Sequence, residues 1–222
     1  MKNLPYHRPL SFRVKFDKFI NQRSMSIDTS ILLLKATYMK RPIISGIACI
    51  GIPNQGLGNE RNLSFDFKED KQFLRTITKS TGENPSIILM GRVTWDSIPN
   101  KQKYLEIHNV MVISNDYIHI MSQFPGLYGA SDPQAALAWA KNHYPIIWVA
   151  GGGTIYKALL LDCEFLYLTE ISRSYPADTF FPDFMNIFEL KEVLQEGRSP
   201  NRAEYRKGEL LDWKIKKYER VS

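Results

Sequence analysis

Ile87-Ile88-Leu89-Met90-Gly91-Arg92-Val93-Thr94-Trp95-Asp96-Ser97-Ile98-Pro99 joins an apolar, β-rich run to a glycine, a cation and a helical start. The run bounded by Pro85 and Gly91 predicts a fully buried strand. Arg92, with Thr94 beside it, then opens an amphipathic turn. Backbone N–H groups at such a helix start have no intrahelical partner and carry positive partial charge, so the corner suits a phosphate. A generic strand-to-helix corner accounts for the glycine alone equally well. A second corner shifts the balance: Ile146-Ile147-Trp148-Val149-Ala150 runs into Gly151-Gly152-Gly153 and then Thr154-Ile155-Tyr156. Glycines let a diphosphate approach the backbone closely. Two such corners on strands of one sheet point to one extended nucleotide bridging them. Neither is a Walker loop, which needs Gly-Lys-Ser/Thr, nor a Gly-x-Gly-x-x-Gly fingerprint with a downstream acid.

Elsewhere the pattern alternates strands and helices. Asp66 with Glu69 three residues on predicts a capped helix start, and Phe67, Phe73 and Leu74 face inward. Asp70 lies on or beside that apolar face, because it is three and four residues from Phe73 and Leu74. A carboxylate at the edge of an apolar stripe is usually solvated, and Glu69 competes with it as a candidate acid. Asp132 or Ser131 caps a helix from Pro133 to His143, and Ala158 to Leu161 completes the helix after the triple glycine. Phe165 to Ile171 alternates as a strand. Ile187 to Leu194 and Leu211 to Arg220 predict an antiparallel hairpin with a polar connection at Gly197 to Lys207. The fold class is α/β, with a mainly parallel sheet, flanking helices and an antiparallel C-terminal edge.

The 222 residues carry a net charge of +6, two cysteines and no repeat or low-complexity tract. Cys49 and Cys163 give no disulfide framework and fit a reducing compartment. His7, His108, His119 and His143 are scattered without ligand spacing, so no metal is expected. Ile31-Leu32-Leu33-Leu34 is far shorter than the roughly 20 apolar residues a membrane helix needs, so no membrane span is expected. Residues 1–41 are rich in Lys and Arg, with Asp17 and Asp28 as their acids. That composition is shared by a transit peptide and a basic flexible arm, and Met39-Lys40-Arg41-Pro42-Ile43 also reads as a natural start. A cytoplasmic or mitochondrial location follows, with an extension over 1–41 and a domain over 42–222. The basic balance is read as targeting or anion attraction, and nucleic acid is not expected as a partner.

From about Pro42 to the C-terminus the chain resembles dihydrofolate reductase. Ile43 to Ile50 is similar to the family's first strand and Gly51 to Phe65 to its mobile loop. Gly91 to Pro99 and Gly151 to Tyr156 are similar to its two cofactor corners, and Asp178-Thr179-Phe180-Phe181-Pro182 to a further signature. The resemblance implies an eight-stranded sheet, a monomer, and NADPH-dependent reduction of 7,8-dihydrofolate to tetrahydrofolate in one-carbon metabolism, the activity blocked by methotrexate-type antifolates. It makes Asp70 the acid that binds the pterin and assists protonation; a partly buried carboxylate has a raised pKa suited to that task. It places Ile47, Ala48, Leu74, Ile98, Leu105, Tyr156 and Thr169 around the pterin, with Lys71 and His108 on the side of its tail. It assigns the cofactor to Ala48, Leu57 and Gly58, to Gly91, Arg92, Val93 and Thr94, to Ser114 and Asn115, and to Gly151, Gly152, Gly153, Thr154, Ile155 and Tyr156. Arg92, Thr94 and Ser114 supply the cation and hydroxyls that a 2′-phosphate wants, with Asn115 and Thr154 as weaker substitutes for cations. Taken singly, the apolar residues are equally well described as ordinary core.

The departures matter as much. Ser64-Phe65 stands where the family has Pro-Trp, and Phe lacks the indole donor. Lys71 stands where an apolar residue packs on the substrate, and Ala150 replaces a bulkier residue. His108 falls where an arginine clamps the folate carboxylate, and an imidazole mostly neutral at pH 7 does not replace a bidentate guanidinium. Such changes leave open a reductase for another pterin or pyrimidine, or a non-catalytic binding or scaffold protein in an organellar assembly.

Overall fold

The computed structural model describes residues 41–204 and 206–221. The expectations for the basic segment before Arg41 lie outside the described residues. In chain order the strands are β1 (Ile43–Gly51), β2 (Gly56–Asn59), β3 (Asn62–Leu63), β4 (Ser86–Gly91), β5 (Asn109–Ile113), β6 (Tyr128–Ala130), β7 (Ile146–Val149), β8 (Phe165–Ile171), β9 (Thr179–Phe180), β10 (Phe188–Pro200) and β11 (Leu210–Arg220). The helices are α1 (Lys68–Ile77), α2 (Arg92–Asp96), α3 (Lys101–Leu105), α4 (Tyr117–Gln123), α5 (Pro133–Lys141) and α6 (Gly153–Leu159).

Eight strands form the sheet path β10-β11-β8-β1-β7-β4-β5-β6. The six from β8 to β6 are parallel, and β11 and β10 add antiparallel to β8. The central parallel strands are covered on both faces, which is why they read as continuous apolar runs; Ile87 to Met90 are almost fully buried. One face packs Leu89, Val149 and Ile50 against Leu137, Ala140, Ile155 and Leu159 of α5 and α6. The other packs Ile47, Ile88, Met90 and Trp148 against Trp95 and, from α1, Phe73, Leu74 and Ile77. A third cluster, Phe65, Phe67, Ile171, Trp213 and Ile215, closes the antiparallel end.

Three expectations need correction. Asp66 does not cap α1: the helix starts after Phe67 with no side-chain cap. Asp66 is drawn instead to the 201–203 turn, where its N–H donates to Asn201 Oδ1 (3.0 Å) and its carbonyl accepts from Arg202 N–H (2.6 Å). The C-terminal hairpin is longer than its polar pattern suggests, and Gly197 lies inside β10 opposite Trp213. A Cβ at Gly197 would stand 2.7 Å from the Trp213 ring, so the glycine serves a close approach and not a turn. Helix α5 stops at Lys141, two residues before His143, while its start agrees with expectation: Asp132 Oδ1 accepts from Ala135 N–H at 2.7 Å, with Pro133 in the first turn.

The loop between β1 and α1 carries β2 and β3. β2 pairs with the end of β1, with β3 and with β9. Open α/β sheets bind ligands at the carboxyl ends of their strands. Here those ends bring Gly91, Ala150 and Thr169 to one side.

Candidate active site

The two glycine corners meet because β4 and β7 are parallel neighbours. Ala150 N–H donates to Leu89 O (2.9 Å) and Gly91 N–H to Gly151 O (2.6 Å), so the corners are bonded to each other. Gly151 adopts φ +95°, and a Cβ there would lie 2.8 Å from the Tyr156 ring. At Gly152 a Cβ would meet only Thr94 Oγ1, at 3.7 Å. The backbone is therefore bare on the side that faces the first corner. Helix α6 begins at Gly153 with no side-chain cap, leaving first-turn N–H groups such as those of Gly153 and Thr154 for an anion. Ile155 and Tyr156 are buried, while Thr154 is exposed. A shaped, side-chain-free backbone with such donors fits a nucleotide diphosphate.

Arg92, at the end of β4, reaches toward the end of β5. Its Nη1 pairs with Asp116 (2.8 Å) and its Nε with Asp96 (3.3 Å). Those carboxylates, Asp96 first and then Asp116, push the guanidinium pKa further up. Ser114 Oγ accepts the Asp116 N–H at 3.2 Å. Arg92 and the Ser114–Asn115 turn thus form one rim around Asp116, Thr94 Oγ1 lies toward Gly152, and Val93 points into solvent, 47% exposed. Asp116 belongs to this rim, and sequence reasoning missed it; its only signal was a position two residues past Ser114.

The substrate side is built on β1, β8 and α1. Burial pushes the Asp70 carboxyl up, and the hydrogen bond from the Thr169 side chain opposes it; Asp66 raises it further and Lys71 lowers it. Thr169 is itself buried and is the register partner of Cys49 on β1. From Ile44 to Gly51, Cys49 is the position of β1 that is half-buried, and it packs beside the Phe65–Ile215 cluster. Burial, and then the Asp70 charge, push its thiol well up. Sequence reasoning did not single out Cys49 for the site, because nothing local shows that its register partner Thr169 lies beside Asp70. Tyr156 Oη donates to Ile47 O at 2.7 Å, joining α6 to β1 between the cofactor and substrate sides. Ile47 belongs to the apolar cluster against which Leu74, Ile98 and Leu105 are half-buried. Ala48 is buried on the opposite face, with Leu57 of β2 packed nearby. Gly58 is fixed by the loop hairpin, since a Cβ there would lie 2.4 Å from Asn62 O.

On the tail side, Lys71 is 60% exposed at its side chain and pairs with Asp66 at 2.7 Å. His108 is 3% exposed, lies against Tyr104 and contacts Thr78 O through Nδ1 at 3.2 Å. Donation to that carbonyl leaves Nε2 as an acceptor, and Nε2 is buried without a partner. Burial lowers its pKa, the bond to Thr78 O opposes that, and Arg75 lowers it further. A neutral, buried acceptor offers nothing to a carboxylate. Among the described residues no group of His, Cys, Asp or Glu could hold a metal, and no helix is long and apolar enough to cross a membrane.

Paired glycine corners at the carboxyl ends of a parallel sheet, on the same side as a half-buried carboxyl, define a nucleotide-dependent oxidoreductase-type site. The dihydrofolate reductase family model matches residues 43–208, and the chain belongs to that family. It is 32% identical to a dihydrofolate reductase of Heliothis virescens over 59% of this chain and 74% of that one. It is 27% identical to that of Sus scrofa over 75% and 92%. A solved dihydrofolate reductase from Enterococcus faecalis, complexed with NADP(H) and RAB-propyl, shares the fold with a TM-score of 0.62 at 20% identity, over 82% of this chain and 98% of that one.

Proposed function

We propose that this chain catalyses NADPH-dependent reduction of 7,8-dihydrofolate to 5,6,7,8-tetrahydrofolate, with Asp70 as its substrate-orienting acid. The observation that carries the assignment of the acid is the half-buried Asp70 carboxyl in the first turn of α1, beside Thr169 of β8 and Cys49 of β1. When bound, NADPH supplies the hydride; the protein supplies alignment, electrostatics and the proton. The backbone of the triple-glycine corner, bare at Gly152, holds the diphosphate, and Arg92, Thr94 and Ser114 face the phosphorylated ribose. The Tyr156–Ile47 bond fixes the floor between the two rings. Asp70 accepts the pterin's N–H donors, and burial raises its pKa above that of an ordinary aspartate, which favours a role in proton delivery. The loop bearing β2 and β3 covers the site and excludes water.

Loss of NADPH absorbance on adding dihydrofolate, with Asp70→Asn run alongside, tests this assignment. Turnover abolished by the substitution is the expected result. Turnover that survives it unchanged removes Asp70 from the role.

Lys71 is an exposed cation on α1 next to Asp70, with Arg75 one turn further on, while burial keeps His108 from serving as a cation. We assign Lys71 partial recognition of the substrate's carboxylate, in competition with Asp66. Lys71→Ala then raises the KM for dihydrofolate without touching that for NADPH, and an unchanged KM removes it from the site.

A further inference from the structure

Arg92 is bound on two sides, by Asp116 at 2.8 Å and Asp96 at 3.3 Å. Lys101 Nζ donates to Asp96 O at 3.1 Å, so a second cation stands on the Asp96 side. On the side of Ser114 and Asn115 the Asp116 carboxylate is met by Arg92. The arrangement of Asp116 is specific. Asp116 occupies the N-cap position of α4 but makes no side-chain cap, so its carboxylate forgoes its own helix and faces Arg92. Ser114 fixes the turn that aims it, with its Oγ accepting Asp116 N–H (3.2 Å) and its carbonyl accepting Tyr117 N–H (3.1 Å). Ion pairs with side chains as exposed as these, 47% and 52%, add little stability, so stability alone does not account for the geometry.

We propose that Asp116 is a specificity-determining residue that weakens discrimination in favour of the 2′-phosphorylated nucleotide, so that NADH is accepted beside NADPH. The inference rests on the reading of Arg92 as the ribose-side cation given above. A 2′-phosphate must draw Arg92 away from Asp116 and then lie beside that carboxylate, two like charges in contact. A ribose bearing free hydroxyls can instead donate a hydrogen bond to Asp116 and leave the ion pair closed. Asp116 therefore lowers affinity for one nucleotide and not for the other.

The test compares NADPH and NADH as reductants of dihydrofolate in the wild type and in Asp116→Asn. The amide retains the shape and removes the charge. The expected result is a kcat/KM for NADPH raised by about three- to tenfold through KM alone, a size set by one exposed charge contact. NADH is expected to be unchanged or slightly weakened, and the NADPH gain to shrink as salt is raised. Equal changes for both nucleotides, or weaker NADPH use, overturn the proposal. Calorimetric titration with adenosine 2′,5′-bisphosphate and adenosine 5′-monophosphate reads the same selectivity without turnover. A wild type that binds both probes but reduces nothing contradicts the reductase reading and leaves the Asp116 comparison to be decided by binding. A variant whose 2′,5′-bisphosphate affinity does not rise overturns the Asp116 proposal even when turnover is normal.

Discussion

Asp178 accepts the backbone N–H of Glu60 at 2.8 Å, tying the segment before the C-terminal strands to the tip of the β2–β3 hairpin. Its own N–H donates to Gly58 O at 3.1 Å, and its second oxygen accepts from Thr179 Oγ1 at 3.0 Å. Glu60 and Arg61 both sit at positive φ, 50° and 66°, a conformation that side chains resist and that these bonds help to hold. Asp178→Ala is expected to loosen the tip. Tryptic cleavage after Arg61 accelerates, and kcat falls on the order of tenfold because the loop closes less often. The pH dependence has a definite sign. The Glu60 N–H first, and the Thr179 hydroxyl next, hold the Asp178 carboxyl below the usual aspartate value. Its contribution is therefore present above that usual value and lost as pH falls through the lowered one. Protection of Arg61 that does not decline in acid, or a variant cleaved no faster than wild type, contradicts this account.

Asp70 has the opposite sign. Burial raises its pKa, so the folded protein binds the proton more tightly than the unfolded chain and ionisation opposes folding. The penalty is absent below the ordinary aspartate value and complete above the raised one. Asp70→Asn is expected to raise the melting temperature at neutral pH, with the gain vanishing in acid, while kcat/KM falls by about 10²–10⁴. Thermal melts across pH, read beside turnover, check both halves; a variant less stable at pH 7 shows that the Thr169 contact outweighs desolvation.

The glycine corners were legible because their signal is local: an apolar run, glycines and a helix start lie within a dozen residues. The mainly parallel α/β sheet and its antiparallel C-terminal edge were legible from the alternation of strands and helices. The failures occurred where distant residues decide. Asp66 has a good capping sequence, but Asn201 and Arg202 compete for its backbone, and the helix starts without it. Gly197 reads as a turn until Trp213 is placed against it. His108 aligned with a clamp position, yet whether its ring faces ligand or core depends on Tyr104 and Thr78, which its own neighbourhood does not show. Cys49 and Asp116 enter the site through sheet register and a turn, neither of which carries a residue pattern.

Cys49 provides a probe of the substrate side. The chain has two cysteines, and Cys163 is 1% exposed with its thiol donating to Leu159 O. Both thiols are held protonated, Cys49 by burial and Asp70 and Cys163 by burial, so alkylation by iodoacetamide is slow and quickens at mildly alkaline pH. Cys49 is expected to label first, with Cys163 labelling only on unfolding. Dihydrofolate, and to a smaller degree NADPH, is expected to protect Cys49. Mass spectrometry of the two peptides reports this, and labelling of Cys49 indifferent to dihydrofolate would place the substrate elsewhere.

Gly151 and Gly152 separate fold from function within one corner. An alanine at Gly151 must adopt φ +95° and place its Cβ 2.8 Å from the Tyr156 ring, so it strains the backbone and pushes on the Tyr156–Ile47 bond at once. Gly151→Ala is expected to cost about 2–4 kcal/mol of stability, combining strain at a special backbone angle with overpacking. Tyr156→Phe, which removes only the hydroxyl, is expected to cost about 1 kcal/mol. At Gly152 the backbone is at φ −72° and an added Cβ finds its nearest neighbour 3.7 Å away, so Gly152→Ala folds normally. It nevertheless places a methyl group on the bare backbone assigned to the diphosphate, and nucleotide affinity is expected to fall by about tenfold or more. Denaturant titration and nucleotide fluorescence titration, run on both variants, distinguish the two effects. If Gly152→Ala binds NADPH as well as the wild type does, the diphosphate does not cross that corner, and the assignment of the second glycine cluster fails with it.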